Sequence, residues 1–266
     1  MKKYVERNIE VFKESRILAS TKYKAETDSL VEQTKVYRQP LDLISESKRN
    51  VSACNIGFDR CDTVYSILSG IQHGYNVCAL NFADAITPGG LVFQGAFTQE
   101  ECLCRCSNLY ESLVKPECIE DYYKYNASLG NSIFSDRVIY SKGVSILRES
   151  FQYFLLDEIV KCDIVTCPAP IFGAFSDVGH YYNVILNRIK GILKVVEDNG
   201  ADAVILGAWG CGAFGGDARL VGRAFAEALK EFNCFDAVVF SVKSSEASPF
   251  GNFELLKSGF EEGSRR

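Results

Sequence analysis

From about residue 51 onward, apolar runs of strand length alternate with amphipathic helical stretches, and this alternation restricts the fold more than any other feature. "NVCALNFA" (76–83) is apolar almost throughout, as expected of a strand covered on both faces. Further strands are predicted over "VSACNIGF" (51–58), "RVIYSKGVSIL" (137–147), "CDIVTCPAP" (162–170), "DAVILGAW" (202–209) and "FDAVVFSV" (235–242). Between them lie helical patterns. "CDTVYSILSGIQHG" (61–74) is closed by Gly74, and a helix is predicted across "QEECLCRCSNLYESL" (99–113). "YYNVILNRIKGILKVVEDNG" (181–200) carries Ile185, Ile189, Ile192, Leu193 and Val196 on one stripe and stops at Gly200. "DARLVGRAFAEALKEF" (217–232) has Asp217 placed to cap it. Strands joined by helices of this length predict an α/β fold: a mixed, mainly parallel central sheet with helices on both faces.

The first 39 residues are polar and helical in pattern, with Ile9, Phe12, Arg16 and Ile17 near one side, and Pro40 closes the region. The expected organisation is an N-terminal helical extension, residues 1–46, packed on one domain of residues 47–266. The tail "NFELLKSGFEEGSRR" (252–266) is expected to be polar and partly frayed at its end.

Net charge is −5, which argues against a protein that grips a polyanion through a general basic field, so direct DNA binding is not expected. An anionic ligand would have to be held by local devices, such as backbone N–H groups in Gly-rich loops and at helix starts. No run of eighteen apolar residues occurs, so no membrane-spanning helix or membrane partner is expected. The charged start "MKKYVERNIEVFKES" lacks the apolar core of a secretory signal. Together with eleven cysteines spread along the chain, this points to reduced thiols in a cytoplasmic or nuclear protein. Cys102, Cys104 and Cys106 form the one metal-like cluster, but they lack paired C-x2-C spacing, and the chain has only two histidines. Helix packing is the better reading, with Cys102 and Cys106 on one face and Cys104 pointing away. No metal and no other cofactor is expected.

Two Gly-rich loops directly follow strands and directly precede helices. In open α/β sheets ligands bind beyond the carboxyl ends of the strands, so two such loops on one rim are placed to hold a diphosphate between them. The first, "TPGGLVFQGAFTQEE" (87–101), supplies Gly89, Gly90 and Gly95. The second, "GAWGCGAFGGD" (207–217), holds five glycines and the only tryptophan, and matches neither the P-loop nor the dinucleotide fingerprint. Its alternatives are an anion cradle of backbone amides with Phe214 stacking on a sugar or base, or a tight connection with Phe214 in the core. Glu100 and Glu101 open the helix after the first loop. Acidic residues favour a first helical turn, but an adjacent pair partly withdrawn from water should also have at least one pKa raised. That is the condition for a general acid in glycosidic cleavage.

"LNFADAITPGGLVFQGAFTQEECLCRCSNLY", followed by "YSKGV", "VTCPAP" and "LGAWGCGAFGGD", resembles the microbial-type poly(ADP-ribose) glycohydrolase family from roughly Val51 to Val242. The family signature is three glycines, a spacer of six to eight residues, then Gln-Glu-Glu. Here Gly89 and Gly90 match, Leu91 stands at the third glycine, and Gln99, Glu100 and Glu101 follow. The resemblance implies a macrodomain-like fold and hydrolysis of the ribose–ribose O-glycosidic bonds of poly(ADP-ribose) to release ADP-ribose. Alternatives within it are a non-hydrolytic ADP-ribose reader or a hydrolase of mono-ADP-ribosyl-protein linkages. The implied partners are ADP-ribose, poly(ADP-ribose) and ADP-ribosylated proteins.

Position by position, the resemblance implies Glu101 as the catalytic acid, with Glu100 and Gln99 positioning the scissile ribose and Asn81 facing it. Gly89 and Gly90 would line the loop beside the distal ribose and diphosphate. Gly210, Cys211, Gly212, Ala213 and Phe214 would form the diphosphate loop. Asp59 would accept from the adenine amino group.

Overall fold

The computed structural model describes residues 2–43, 49–244 and 251–265. The boundary expected at residues 46–47 lies outside the described residues. Helices α1 (Lys2–Ser20) and α2 (Lys24–Gln33) form first, then a short strand β1 (Lys35–Tyr37). There follow β2 (Asn55–Asp59), α3 (Thr63–Gln72), β3 (Val77–Phe82), α4 (Gln99–Cys106) and α5 (Leu109–Leu113). Short helices α6 (Pro116–Cys118) and α7 (Tyr125–Ser128) flank a π-helical turn and lead into strands β4 (Val138–Arg148) and β5 (Leu155–Cys167). The chain ends with α8 (Val178–Asp198), β6 (Ala203–Leu206), α9 (Ala218–Leu229), β7 (Ala237–Ser241) and α10 (Asn252–Ser264).

The strands make one seven-stranded sheet in the order β1-β4-β5-β3-β6-β7-β2. β4 runs antiparallel to both β1 and β5, and the remaining pairs are parallel. The sheet is thus mixed and mainly parallel, as its strand–helix alternation predicts. Side chains alternate across it: Cys78 and Leu80 of β3 enter the core under α8 and α9, while Val77 and Ala79 enter the core under α3, α4 and the N-terminal helices. Among the described residues no helix is long and apolar enough to cross a membrane.

The N-terminal segment is mostly helical, as expected, with Lys35–Tyr37 adding an edge strand to β4. Other local readings change. The strand expected from residue 51 begins only at Asn55. The helix expected over 99–113 breaks at Ser107, whose extended backbone (φ −146°) bridges to Ile146. Asn108 completes the break by exchanging two hydrogen bonds with the Ser145 backbone, at 3.2 and 2.9 Å. The C-terminal tail is not frayed over its described length. α10 packs on α9 so closely that a Cβ on Gly259 would lie 2.0 Å from the Arg219 carbonyl oxygen.

Candidate active site

Strand β3 ends in the middle of the sheet, and its pairing with β6 stops at Ala79. The side chain of Gln99 then takes over the role of a neighbouring strand. Its Oε1 accepts from the Phe82 N–H at 2.9 Å, and its Nε2 donates to the Leu80 carbonyl at 2.8 Å and to Thr63 at 3.1 Å. The start of α4 is thereby fastened to the end of β3. Asp84 shapes the loop between them, accepting from the N–H groups of Ile86 and Thr87 at 2.8 Å each.

Both carboxylates at the start of α4 are buried. Glu100 accepts from Asn81 Nδ2 at 3.1 Å and from the Asp84 N–H at 2.8 Å. Burial pushes its pKa from 4.5 up to about 8; these two hydrogen bonds oppose the rise, and the neighbouring Glu101 adds to it. The raised carboxyl that the sequence anticipates is therefore Glu100. Glu101 accepts from the Leu91 N–H at 2.9 Å through Oε1 and from the Thr98 hydroxyl through Oε2.

Gly90 passes over both groups with φ +56°, and a Cβ there would sit 2.6 Å from Glu101 Oε1 and 3.1 Å from Glu100 Oε2. Only a residue without a side chain fits that crossing. The loop is held from outside by α1. Asn8 donates to the Gly95 carbonyl at 3.0 Å, and Phe12 packs edge-on against Phe93 and Tyr110 with ring centroids 5.1 and 5.2 Å away.

The second loop faces the pair from the end of β6. Trp209 is fully buried and its Nε1 donates to the Cys167 carbonyl at 3.1 Å, tying the loop to β5. The N–H of Gly216 donates to the Gly210 carbonyl at 2.9 Å, and Asn252 donates to the Cys211 carbonyl at 3.1 Å. Asp217 caps α9 by accepting from Arg219 and Leu220 N–H groups, as its position in the sequence predicts. The backbone N–H groups of Gly212, Ala213 and Phe214 donate to no group among the described residues. Successive N–H groups of this kind, just before a helix start, suit an anion.

A cavity of about 240 Å³ lies between the two loops. Glu100, Glu101, Gln99 and Gly90 line one side, and Gly210, Gly212, Ala213 and Phe214 the other. The remaining candidates lie elsewhere. Asn81 is fully buried beneath the cavity, donating to Glu100 and Thr166, so it reaches the site through Glu100. Gly89 makes the turn and faces Tyr110. Cys211 is buried under the second loop. Asp59 ends β2 and is not among the residues lining this cavity.

Two contributors were not singled out from sequence. Thr98 and Glu101 have the T-x-x-E spacing of a capping box, a readable signal, although here the glutamate turns to Leu91. Asp84 begins the run toward Pro88-Gly89-Gly90, where an Asx turn is an ordinary expectation.

The family described as microbial-type PARG, catalytic domain, matches residues 8–149. Among solved structures, poly(ADP-ribose) glycohydrolase from Thermomonospora curvata is 25% identical with a TM-score of 0.82, covering 96% of this chain and 99% of that one. The same enzyme bound to the inhibitor ADP-HPD is 26% identical with a TM-score of 0.82, over 95% and 98% of the two chains. Poly(ADP-ribose) glycohydrolase from Deinococcus radiodurans in complex with ADP-ribose is 28% identical with a TM-score of 0.78, over 89% and 97%. No curated protein matches.

Proposed function

The chain belongs to the microbial-type poly(ADP-ribose) glycohydrolase family, and on that footing we propose that it hydrolyses the ribose–ribose O-glycosidic bonds of poly(ADP-ribose), releasing ADP-ribose. The observation that carries this reading is the pair of buried carboxyls, Glu100 and Glu101, in one cavity opposite the backbone N–H groups of Gly212–Phe214, which donate to no group among the described residues. A glycosidic bond is cut by a carboxyl that first gives a proton and then takes one, and the diphosphate of the substrate needs an anion cradle nearby.

In this mechanism the terminal ADP-ribose lays its diphosphate along Gly210–Phe214 and its distal ribose over Gly90. Gly89 and Cys211 shape the two loops, and Phe214 packs against the sugar. Glu101 delivers a proton to the departing ribose oxygen. Positive character develops at the anomeric carbon, offset by the diphosphate of the ligand itself. Glu101, now a carboxylate, takes a proton from the attacking water. Glu100 is neutral below about pH 8 because burial disfavours its charge, and as a neutral carboxyl it positions the ribose. Asn81 and Gln99 act through Glu100 and the helix start. Asp59 is the residue assigned to the adenine amino group.

Residues 47–266 would carry this site and residues 1–46 would brace it, which the contacts of Asn8 and Phe12 with the first loop support. ADP-ribosylated proteins are the proposed bearers of the polymer. The eleven cysteines, all free, support an intracellular setting.

The test is incubation with poly(ADP-ribose) and, separately, with a mono-ADP-ribosylated protein, beside Glu101→Gln. Chromatography should find ADP-ribose released from the polymer by the wild type alone. Release from neither substrate, or equal release by the variant, overturns the proposal.

A further inference from the structure

Behind the first cavity lies a second of about 380 Å³, which shares Phe82, Thr98 and Gln99 with it. Cys102, Arg105 and Lys243 stand on its wall. Cys102 follows Glu101 directly and lies one turn before Cys106 on the same helix, so the two sulfurs share a face. Cys106 is the last residue of α4, and its Sγ lies 3.7 Å from the Glu149 carbonyl. Ser107 beyond it is already extended, so α4 ends at Cys106.

We propose that Cys102 and Cys106 form an oxidisable dithiol whose substrate is hydrogen peroxide entering through the second cavity. Eight of the eleven free cysteines are buried, and the three that are partly exposed are Cys54, Cys61 and Cys102. Burial raises the thiols of Cys54 and Cys61 above their ordinary range. The neighbouring Cys106 holds the Cys102 thiol below its ordinary range, with the Arg105 and Lys243 charges in support, against burial and the Asp62 charge, which push it up. Arg105 itself is fixed, donating to the Tyr153 hydroxyl at 3.0 Å and to the Ala96 carbonyl at 2.6 Å.

The Cys102 thiolate attacks one peroxide oxygen. The O–O bond breaks, leaving a sulfenic acid on Cys102 and a hydroxide that takes a proton to become water. Cys106 then attacks the Cys102 sulfur while its thiol proton passes to the displaced hydroxide, which leaves as a second water. Two thiols are oxidised to one disulfide, and one peroxide is reduced to two waters.

The experiment treats the full chain with hydrogen peroxide, alkylates the remaining thiols with iodoacetamide and maps the products by mass spectrometry. Labelling of Cys102 and Cys106 should fall together, and about tenfold faster than that of Cys54 or Cys61, given the thiolate preference at Cys102. The peptide holding both should be lighter by two hydrogens, and dithiothreitol should reverse the change. In Cys106→Ser the reaction should stop at a Cys102 sulfenic acid that dimedone traps. Oxidation of Cys54 or Cys61 ahead of Cys102, or the same trapped sulfenic acid in wild type and Cys106→Ser, overturns the proposal. The alkylation map of the wild type decides the first point without any variant.

Discussion

The backbone N–H of Leu91 donates to Glu101 Oε1 at 2.9 Å. Leu91 stands where the family signature has its third glycine, yet its φ is −96°, a conformation open to any residue. Its side chain is half exposed on the cavity wall. The position therefore acts on Glu101, the proposed catalytic acid, through its backbone, and the side chain is free to vary.

Leu91→Ala should leave kcat within about twofold, because the N–H to Glu101 is retained. Leu91→Pro deletes that donor, and a hydrogen bond contributes about 0.5–1.5 kcal/mol net, so kcat should fall by roughly two- to tenfold. Steady-state kinetics on poly(ADP-ribose) compare the two, and circular dichroism checks that the proline variant is folded.

Glu101→Gln should lower kcat by at least about a thousandfold while ADP-ribose affinity changes little, since the proposed general acid and base roles are both lost. Calorimetry alongside the activity assay separates binding from chemistry. Equal losses in both would place Glu101 in ligand binding alone.

Glu100 links stability to pH. Its folded pKa of about 8 lies above the ordinary 4.5, so the folded state holds a proton that the unfolded chain releases between those values. Stability should therefore be highest below about pH 4.5 as far as this group is concerned, and fall as pH rises toward 8. In Glu100→Gln that part of the slope should vanish. Tm measured across this range for both proteins tests the sign, and parallel curves would remove Glu100 as the cause.

Gly90→Ala and Gly212→Ala should behave oppositely. A Cβ on Gly90 meets Glu101 Oε1 at 2.6 Å and must adopt φ +56°, whereas a Cβ on Gly212 meets nothing within 4 Å. The left-handed backbone alone costs about 1–2 kcal/mol, so Gly90→Ala should lower Tm and abolish turnover, while Gly212→Ala should keep the wild-type Tm.

Phe12→Ala removes a buried ring wedged between Phe93 and Tyr110. A loss of about 3–5 kcal/mol in unfolding free energy is expected. Because the loop it braces presents the Leu91 N–H, kcat should fall as well, even at temperatures where the variant is folded. Denaturant unfolding and kinetics on the same preparation measure both effects.

Local periodicity and end signals made much of this protein legible. The apolar run of β3 announces a strand buried on both faces, Asp217 announces a helix start, and Gly-Gly followed by Gln-Glu-Glu places two acids at the mouth of a loop. These are short-range properties of the chain, set by steric preference, capping and burial pattern. Which acid carries the raised pKa was not legible, because it depends on Asn81, Asp84 and depth of burial together. Nor was the role of Gln99, which replaces a missing strand partner, nor the break at Ser107, where pairing with Ile146 competes with helix continuation. Such outcomes come from contacts between residues far apart in sequence, and only packing in three dimensions brings those partners together. The α/β layering and the adjacent acid pair follow from the local pattern of the chain. Which backbone donor meets Glu101 follows from packing, because α1 holds the first loop over the start of α4.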